Sequence, residues 1–225
     1  MASPVTHLMC FLLFGVVGQA MITNLDFKSS LGFYAAYHQD PYNQLIHFIF
    51  IPLIWWSINV WMCYVPLPLQ PSSSFPLTYG TVMLLMYGLY YVALDGFTGG
   101  IFTAVLAALY MQAQTAVNGE KGGREPVKGN RKGKGGGKMS WGWFAFWVHL
   151  AGWVMQIGPG HGYFEGVKPA LLDSLGQALG VAPLFAFLEG LWAVGVAGEL
   201  KGEVMDMVAI HRRDMCTAGG AYPWC

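Results

Sequence analysis

Residues 46–65 read IHFIFIPLIWWSINVWMCYV, twenty residues without an Asp, Glu, Lys or Arg. A bilayer hydrocarbon core about 30 Å thick takes about 20 mostly apolar residues of helix. This stretch therefore predicts a membrane span. Working outward, Pro76–Leu94 and Phe97–Val117 are equally free of those four residue types, and DGFTGG (95–100) between them suits a tight turn. Trp141–Ile157 is a shorter, Trp-rich fourth candidate, open to being re-entrant. Val181–Glu199 is a fifth, interrupted by Glu189. The whole chain agrees with this reading: of 225 residues 55% are hydrophobic and only 11% charged, against about 25% charged in a soluble domain. That balance excludes a disordered tail and an ordinary cytosolic enzyme. Twelve Lys and Arg match twelve Asp and Glu, so no net charge calls for a nucleic-acid partner. The predicted fold is all-α, a polytopic transmembrane helix bundle of about five spans embedded in a lipid bilayer.

Residues 1–23 are an apolar segment that suits a signal, an anchor or an interfacial helix equally well. Residues 24–200 form the membrane-embedded domain. Within it, 118–140 holds eight Gly and seven Lys or Arg, a composition expected of a flexible basic linker. Gly133–Lys138 imitates a phosphate-binding loop, but Met139 stands where Ser or Thr is needed, and no strand precedes it. Residues 201–225 are an amphipathic segment with an irregular tail. Four cysteines (10, 63, 216 and 225) are too few for a disulfide scaffold and form no zinc pattern.

Five spans allow a charge count. The side before the first span carries Lys28 and Lys168, and the other side carries the seven linker cations plus Lys201, Arg212 and Arg213. Two against ten places the linker side in the cytoplasm. The same count puts YHQDPYNQLIH (37–47) and QIGPGHGYFEGVKPAL (156–171) on one side, where they can meet.

These two islands hold the candidate chemistry. His38 and His47 are nine residues apart, about 180° and 13.5 Å on a straight helix. His149 and His161 are twelve apart, about 120° and 18 Å. Neither pair shares a metal unless the helix breaks, and each pair has a breaker between its members: Asp40-Pro41 and Gly158-Pro159-Gly160. Asn43 is read as the helix N-cap, which puts His47 in the first turn, where the helix dipole favours a neutral, metal-competent ring. Pro52 predicts a kink beside it. His161 and Glu165 share a helix face, so Glu165 is a ligand or an orienting group. His149 and Glu189 lie mid-span and are expected to face each other. Asp40, in His38-Gln39-Asp40, is a weaker ligand candidate. His7 and His211 are read as non-functional.

FYAAYHQDPYNQLIHFIFIPLIWW (33–56) and WVMQIGPGHGYFEGVKPALLDSL (153–175) resemble the fungal 2-hydroxy-fatty-acid dioxygenase family, which acts in phytosphingosine degradation. The resemblance runs from about residue 25 to 200. One departure is that Pro159-Gly160 separates Gly158 from His161, where the family commonly has Gly and His adjacent. The resemblance implies a catalytic domain of the endoplasmic reticulum membrane that carries out α-oxidation with iron(II), Fe(2+). A 2-hydroxy long-chain fatty acid and O2 would give an acid one carbon shorter plus CO2. By motif, His38, His47, His149 and His161 would be the iron ligands; Tyr37 and Asn43 would support them, beside Glu165 and Glu189, which their helix positions single out. Lys168 would meet the substrate carboxylate. A cytosolic face would suit such a substrate, which conflicts with the charge count. Two rival readings stand beside this one: a non-enzymatic lipid-binding or transport protein, and a haem-binding electron-transfer protein. Neutral imidazoles suit zinc as well as iron.

Overall fold

A computed structural model of the chain describes residues 2–70, 76–122, 139–219 and 222–225. Most of the predicted linker, residues 123–138, lies outside the described residues. The architecture is all-α, as expected. The helices are α1 (Pro4–Ile22), α2 (Phe27–Ala35), α3 (Pro41–Cys63), α4 (Tyr79–Leu94), α5 (Thr98–Gly122), α6 (Trp141–Met155), a π-helical segment (Gln156–Glu165), α7 (Leu175–Gly180), α8 (Ala182–Ala193) and α9 (Gly198–Thr217). Among the described residues there is no strand, only one antiparallel bridge between Pro66 and Thr78.

Local chemistry sets the helix starts. Ser3, Asp26 and Ser140 each accept a hydrogen bond from the backbone N–H three residues on, satisfying a donor that the first turn leaves open. For α3 the cap is Asp40, not Asn43. Its carboxylate accepts from the Tyr42 and Asn43 N–H groups, and Pro41 takes the first helical position, where its fixed φ is already helical. The start therefore moves three residues toward the N-terminus, and His47 falls in the second turn. The predicted turn between α4 and α5 forms: Asp95 Oδ2 accepts from the Thr98 N–H at 2.7 Å and from the Thr98 hydroxyl.

Helix α3 is the axis of the bundle, packing against α4, α5, α6 and α8. Small residues allow the close approaches. A Cβ at Gly152 of α6 would lie 2.6 Å from Ile54 Cγ1, and one at Gly190 of α8 would lie 2.2 Å from the Phe48 ring. Among the described residues three helices, α1, α3 and α5, are long and apolar enough to cross a membrane, whereas α4 and α8 are apolar but shorter. The outer surface carries exposed Phe11 and Leu12 of α1, Leu85 and Leu89 of α4, and Trp147 and Val154 of α6. An apolar outer surface of this extent suits contact with lipid.

The bundle has two ends. At one, Glu120 accepts from Tyr64 Oη and the Trp141 N–H, so both flanks of the linker meet there. At the other lie the α2–α3 loop and the π-helical segment. Helix α8 has only twelve residues, about 18 Å of helix. Both its ends stay in this second half: Gly180, just before it, accepts from Tyr91 Oη, and Phe185 and Gly190 touch His38 and Phe48. The chain then returns along α9, which packs on α2. The tail docks beside it: Arg212 donates to the Ala36 carbonyl and lies over the Trp224 ring, Tyr222 Oη donates to Asp173, and Cys216 is disulfide-bonded to Cys225. This corrects the charge count, which assigned the tail to the linker side. Five of the twelve cations (Lys28, Lys168, Lys201, Arg212 and Arg213) stand at the histidine end and seven belong to the linker, so the two-to-ten bias disappears.

Candidate metal centre

Three of the four predicted histidines converge. His38, His47 and His161 each offer a ring nitrogen, and these nitrogens lie within 4.8 Å of one another. The ring centroids are 4.5, 4.8 and 5.0 Å apart, edge against face. All three side chains are buried.

Each ring arrives by a different route. His38 sits in the loop after α2, and its Nδ1 is 2.9 Å from the Tyr34 carbonyl. His47 sits on α3, with Nδ1 2.9 Å from the Asn43 carbonyl. A carbonyl only accepts, so both Nδ1 atoms carry the proton and both Nε2 lone pairs are left for a ligand. The break at Asp40-Pro41 is what turns the two rings toward each other. Tyr34 stacks on His38 at 4.4 Å, its ring within 8° of parallel. Burial holds His38 well below the ordinary imidazole range, and burial likewise lowers His161 to about 4. Both of these rings are therefore neutral at physiological pH. The buried His38 Nε2 has no hydrogen-bond partner among the described residues. Converging neutral imidazoles with a buried unused lone pair fit a divalent transition metal.

Glu165 ties the two islands together. Its carboxylate accepts from the Gln39 and Asp40 N–H groups and from Asn43 Nδ2, at 2.8, 3.0 and 2.9 Å. Glu165 and Asn43 thus hold the carbonyl to which His47 is anchored.

The remaining candidates are placed elsewhere. His149 is apart from the trio: its Nδ1 bonds Ser57 Oγ at 2.8 Å, and its Nε2 accepts from Trp153 Nε1 at 2.9 Å. Ser57 is ten residues, about 15 Å of helix, beyond His47 on α3. Glu189 does not face His149. It is buried beside a second cavity lined also by His38, Gln44, Trp192 and Lys201. The Tyr37 hydroxyl points away from the trio and donates to Asp173 Oδ2 at 2.6 Å. Lys168 is taken by Asp173 as well, at 2.6 Å, and does not line the histidine cavity. Asp40 is occupied as the cap of α3.

The Gly158-Pro159-Gly160 break does not form. Gln156–Glu165 continues α6 as a wider π-helix, and that is how His161 reaches the trio despite the two intervening residues. Gly160 is needed there: a Cβ would lie 2.6 Å from Asn43 Oδ1 and 3.6 Å from His47 Cε1. π-Helical turns occur frequently at functional sites.

A cavity of about 760 Å³, counting its open mouth, begins at His47, Gln156 and His161 and runs between Ile51, Trp55 and Tyr87. Gln156 carries no metal-ligating or titratable group, and at α-helical spacing it lies off the face of His161. Its place beside the trio is legible only from the π turn.

The geometry can be set against known proteins. The chain is 29% identical over 191 residues to the 2-hydroxy-palmitic acid dioxygenase MPO1 of Saccharomyces cerevisiae, an alignment covering 85% of this chain and 94% of the yeast protein. No solved structure matches. The family model described as 2-hydroxy-palmitic acid dioxygenase Mpo1-like matches residues 25–192, a stretch that includes both islands and all three converging histidines, and the chain belongs to this Mpo1-like family.

Proposed function

We propose that the protein is a membrane-embedded, iron(II)-dependent dioxygenase. It would convert a 2-hydroxy long-chain fatty acid and O2 to the acid one carbon shorter, CO2 and water. The observation that carries this reading is a buried trio of imidazoles, two of which, His47 and His161, line an apolar cavity. The yeast relative is a 2-hydroxy-palmitic acid dioxygenase, which supports the substrate class. The equation closes without an outside reductant: the hydroxy acid supplies the four electrons that O2 takes up.

His38, His47 and His161 would hold the iron, and the metal would supply O2 activation when bound. The chain's own residues do the rest. The Tyr34 and Asn43 carbonyls fix two of the rings and their tautomers, and Glu165 holds the loop between them. The apolar walls take up the acyl chain and exclude water from the reacting end. On this reading the protein sits in the endoplasmic reticulum membrane as a multi-pass protein with a part in sphingolipid breakdown; the apolar helices support the membrane and the two histidine islands support the family.

The test is elemental analysis of purified protein together with turnover of 2-hydroxypalmitate under Fe(II). Bound iron and release of CO2 with the shorter acid are expected. Protein without bound metal that releases no CO2 would favour a lipid-binding protein instead.

A further inference from the structure

We infer that Gln156 is the residue that receives the carboxylate of the substrate. The inference deepens the proposed function and rests on it. Gln156 is 6% exposed, and its side-chain Nε2 has no hydrogen-bond partner among the described residues. It lines the same cavity as His47 and His161. A buried amide donor without a partner costs free energy in the fold. Such a group calls for an explanation, and beside two candidate metal ligands a bound partner supplies one.

The π-helix explains its direction. Gln156 and His161 are five residues apart. On an α-helix that separation is about 500°, so the two side chains would diverge by about 140°. The π-helix repeats at i→i+5, which brings residues at this spacing close to one face. The segment that carries His161 to the trio therefore turns Gln156 into the same cavity.

The chemistry of the cavity narrows the ligand. None of the residues lining it is Lys or Arg, and Lys168 is held by Asp173. A carboxylate entering here meets no protein cation. Its charge would be balanced by the metal, and its orientation needs a neutral donor beside the ligand set. The Gln156 amide is such a donor. Trp55 Nε1 is also buried, unpartnered and on the cavity wall, but it lies eight residues beyond His47, about 12 Å farther along α3. It is too deep for the headgroup and lies among the positions that the acyl chain would occupy.

The test compares wild type with Gln156→Leu and the near-isosteric Gln156→Glu, each loaded with Fe(II). Three quantities are measured: bound metal, anaerobic binding of 2-hydroxypalmitate, and KM and kcat in air. The expected result is unchanged metal content with binding at least about tenfold weaker in the Leu variant, since a hydrogen bond to a charged group is worth about 1.5–3 kcal/mol. The loss should be larger in the Glu variant, where two carboxylates would face each other. The corresponding hexadecane diol, which lacks the carboxylate, should bind wild type and the Leu variant equally. Full affinity for 2-hydroxypalmitate in the Leu variant overturns the inference. So does loss of metal in both variants, which would make Gln156 a support of the π segment alone. A wild-type protein that holds iron but neither binds nor turns over any 2-hydroxy acid overturns the proposed function, and this inference falls with it.

Discussion

At the scale of single residues, the four histidines separate into three with a free lone pair at a common centre and one with both nitrogens used. Replacing His38, His47 or His161 with Ala is expected to abolish bound iron and turnover. His149→Ala should keep its metal, because its Nδ1 bonds Ser57 and its Nε2 accepts from Trp153, away from the trio. Elemental analysis of the four variants side by side checks this. Glu165 reads as an anchor for the ligands. Three N–H groups point at its carboxylate, and an amide in its place would direct its own N–H group at donors. Glu165→Gln should weaken iron binding by about 10–100-fold, the usual cost of losing a group that orients metal ligands. An iron titration of the apo protein would show it.

At the scale of elements, the contact between the π segment and α3 is tight enough for one methyl group to matter. Gly160→Ala would drive a Cβ against Asn43 and toward His47. Overpacking of this kind costs about 1–3 kcal/mol, and here the displaced groups are a ligand and its anchor. A loss of turnover exceeding the loss of thermal stability is expected, read by activity and by a melting curve in detergent. The tail is a second such contact. Asp173 collects Lys168, Tyr37 and Tyr222, joining the segment after the π-helix to the loop that carries His38. Burial pushes its carboxyl up, but the hydrogen bonds from these three residues outweigh burial and leave it below the ordinary carboxylate range. A carboxylate lowered in the fold contributes stability at neutral pH that is withdrawn as pH falls through its folded value. Asp173→Asn should therefore cost about 1–2 kcal/mol near pH 7, kept small by partial exposure of the pair. The gap between variant and wild type should narrow as pH falls below the ordinary aspartate value of about 3.9. Melting temperatures across the pH range would show the convergence.

At the scale of the whole molecule, the site, α9 and the disulfide-bonded tail share one end of the bundle, and the flanks of the basic linker share the other. A cysteine placed at residue 130 and a tag fused after residue 225 should accordingly report from opposite sides of sealed membrane vesicles. Labelling of both from one side would show that the bundle does not cross the bilayer in this arrangement. The Cys216–Cys225 pair adds a second reading. Disulfides persist in oxidising compartments, so thiol trapping of the native pair should find it oxidised, with residue 130 labelled from the cytosolic side.

By itself the sequence determined the fold class and named most of the candidate metal centre. Long runs without charge have no stable place except a bilayer or a helical core, and that alone made the chain an all-α bundle. Imidazoles clustered in two polar islands named His38, His47 and His161, and the Asp40-Pro41 break between the first two is a local property that the residues state directly. Tertiary structure decided what depends on helix geometry and on distant partners. Gly158-Pro159-Gly160 reads locally as a breaker, but packed against α3 it winds as a π-helix, which brings both His161 and Gln156 to the cavity. His149 has the same chemistry as the other three, and only its depth along α6 separates it from them. Lys168 and Tyr37 were placed by Asp173 and the returning tail, partners as many as 185 residues away in the chain, a distance at which spacing carries no information about contact.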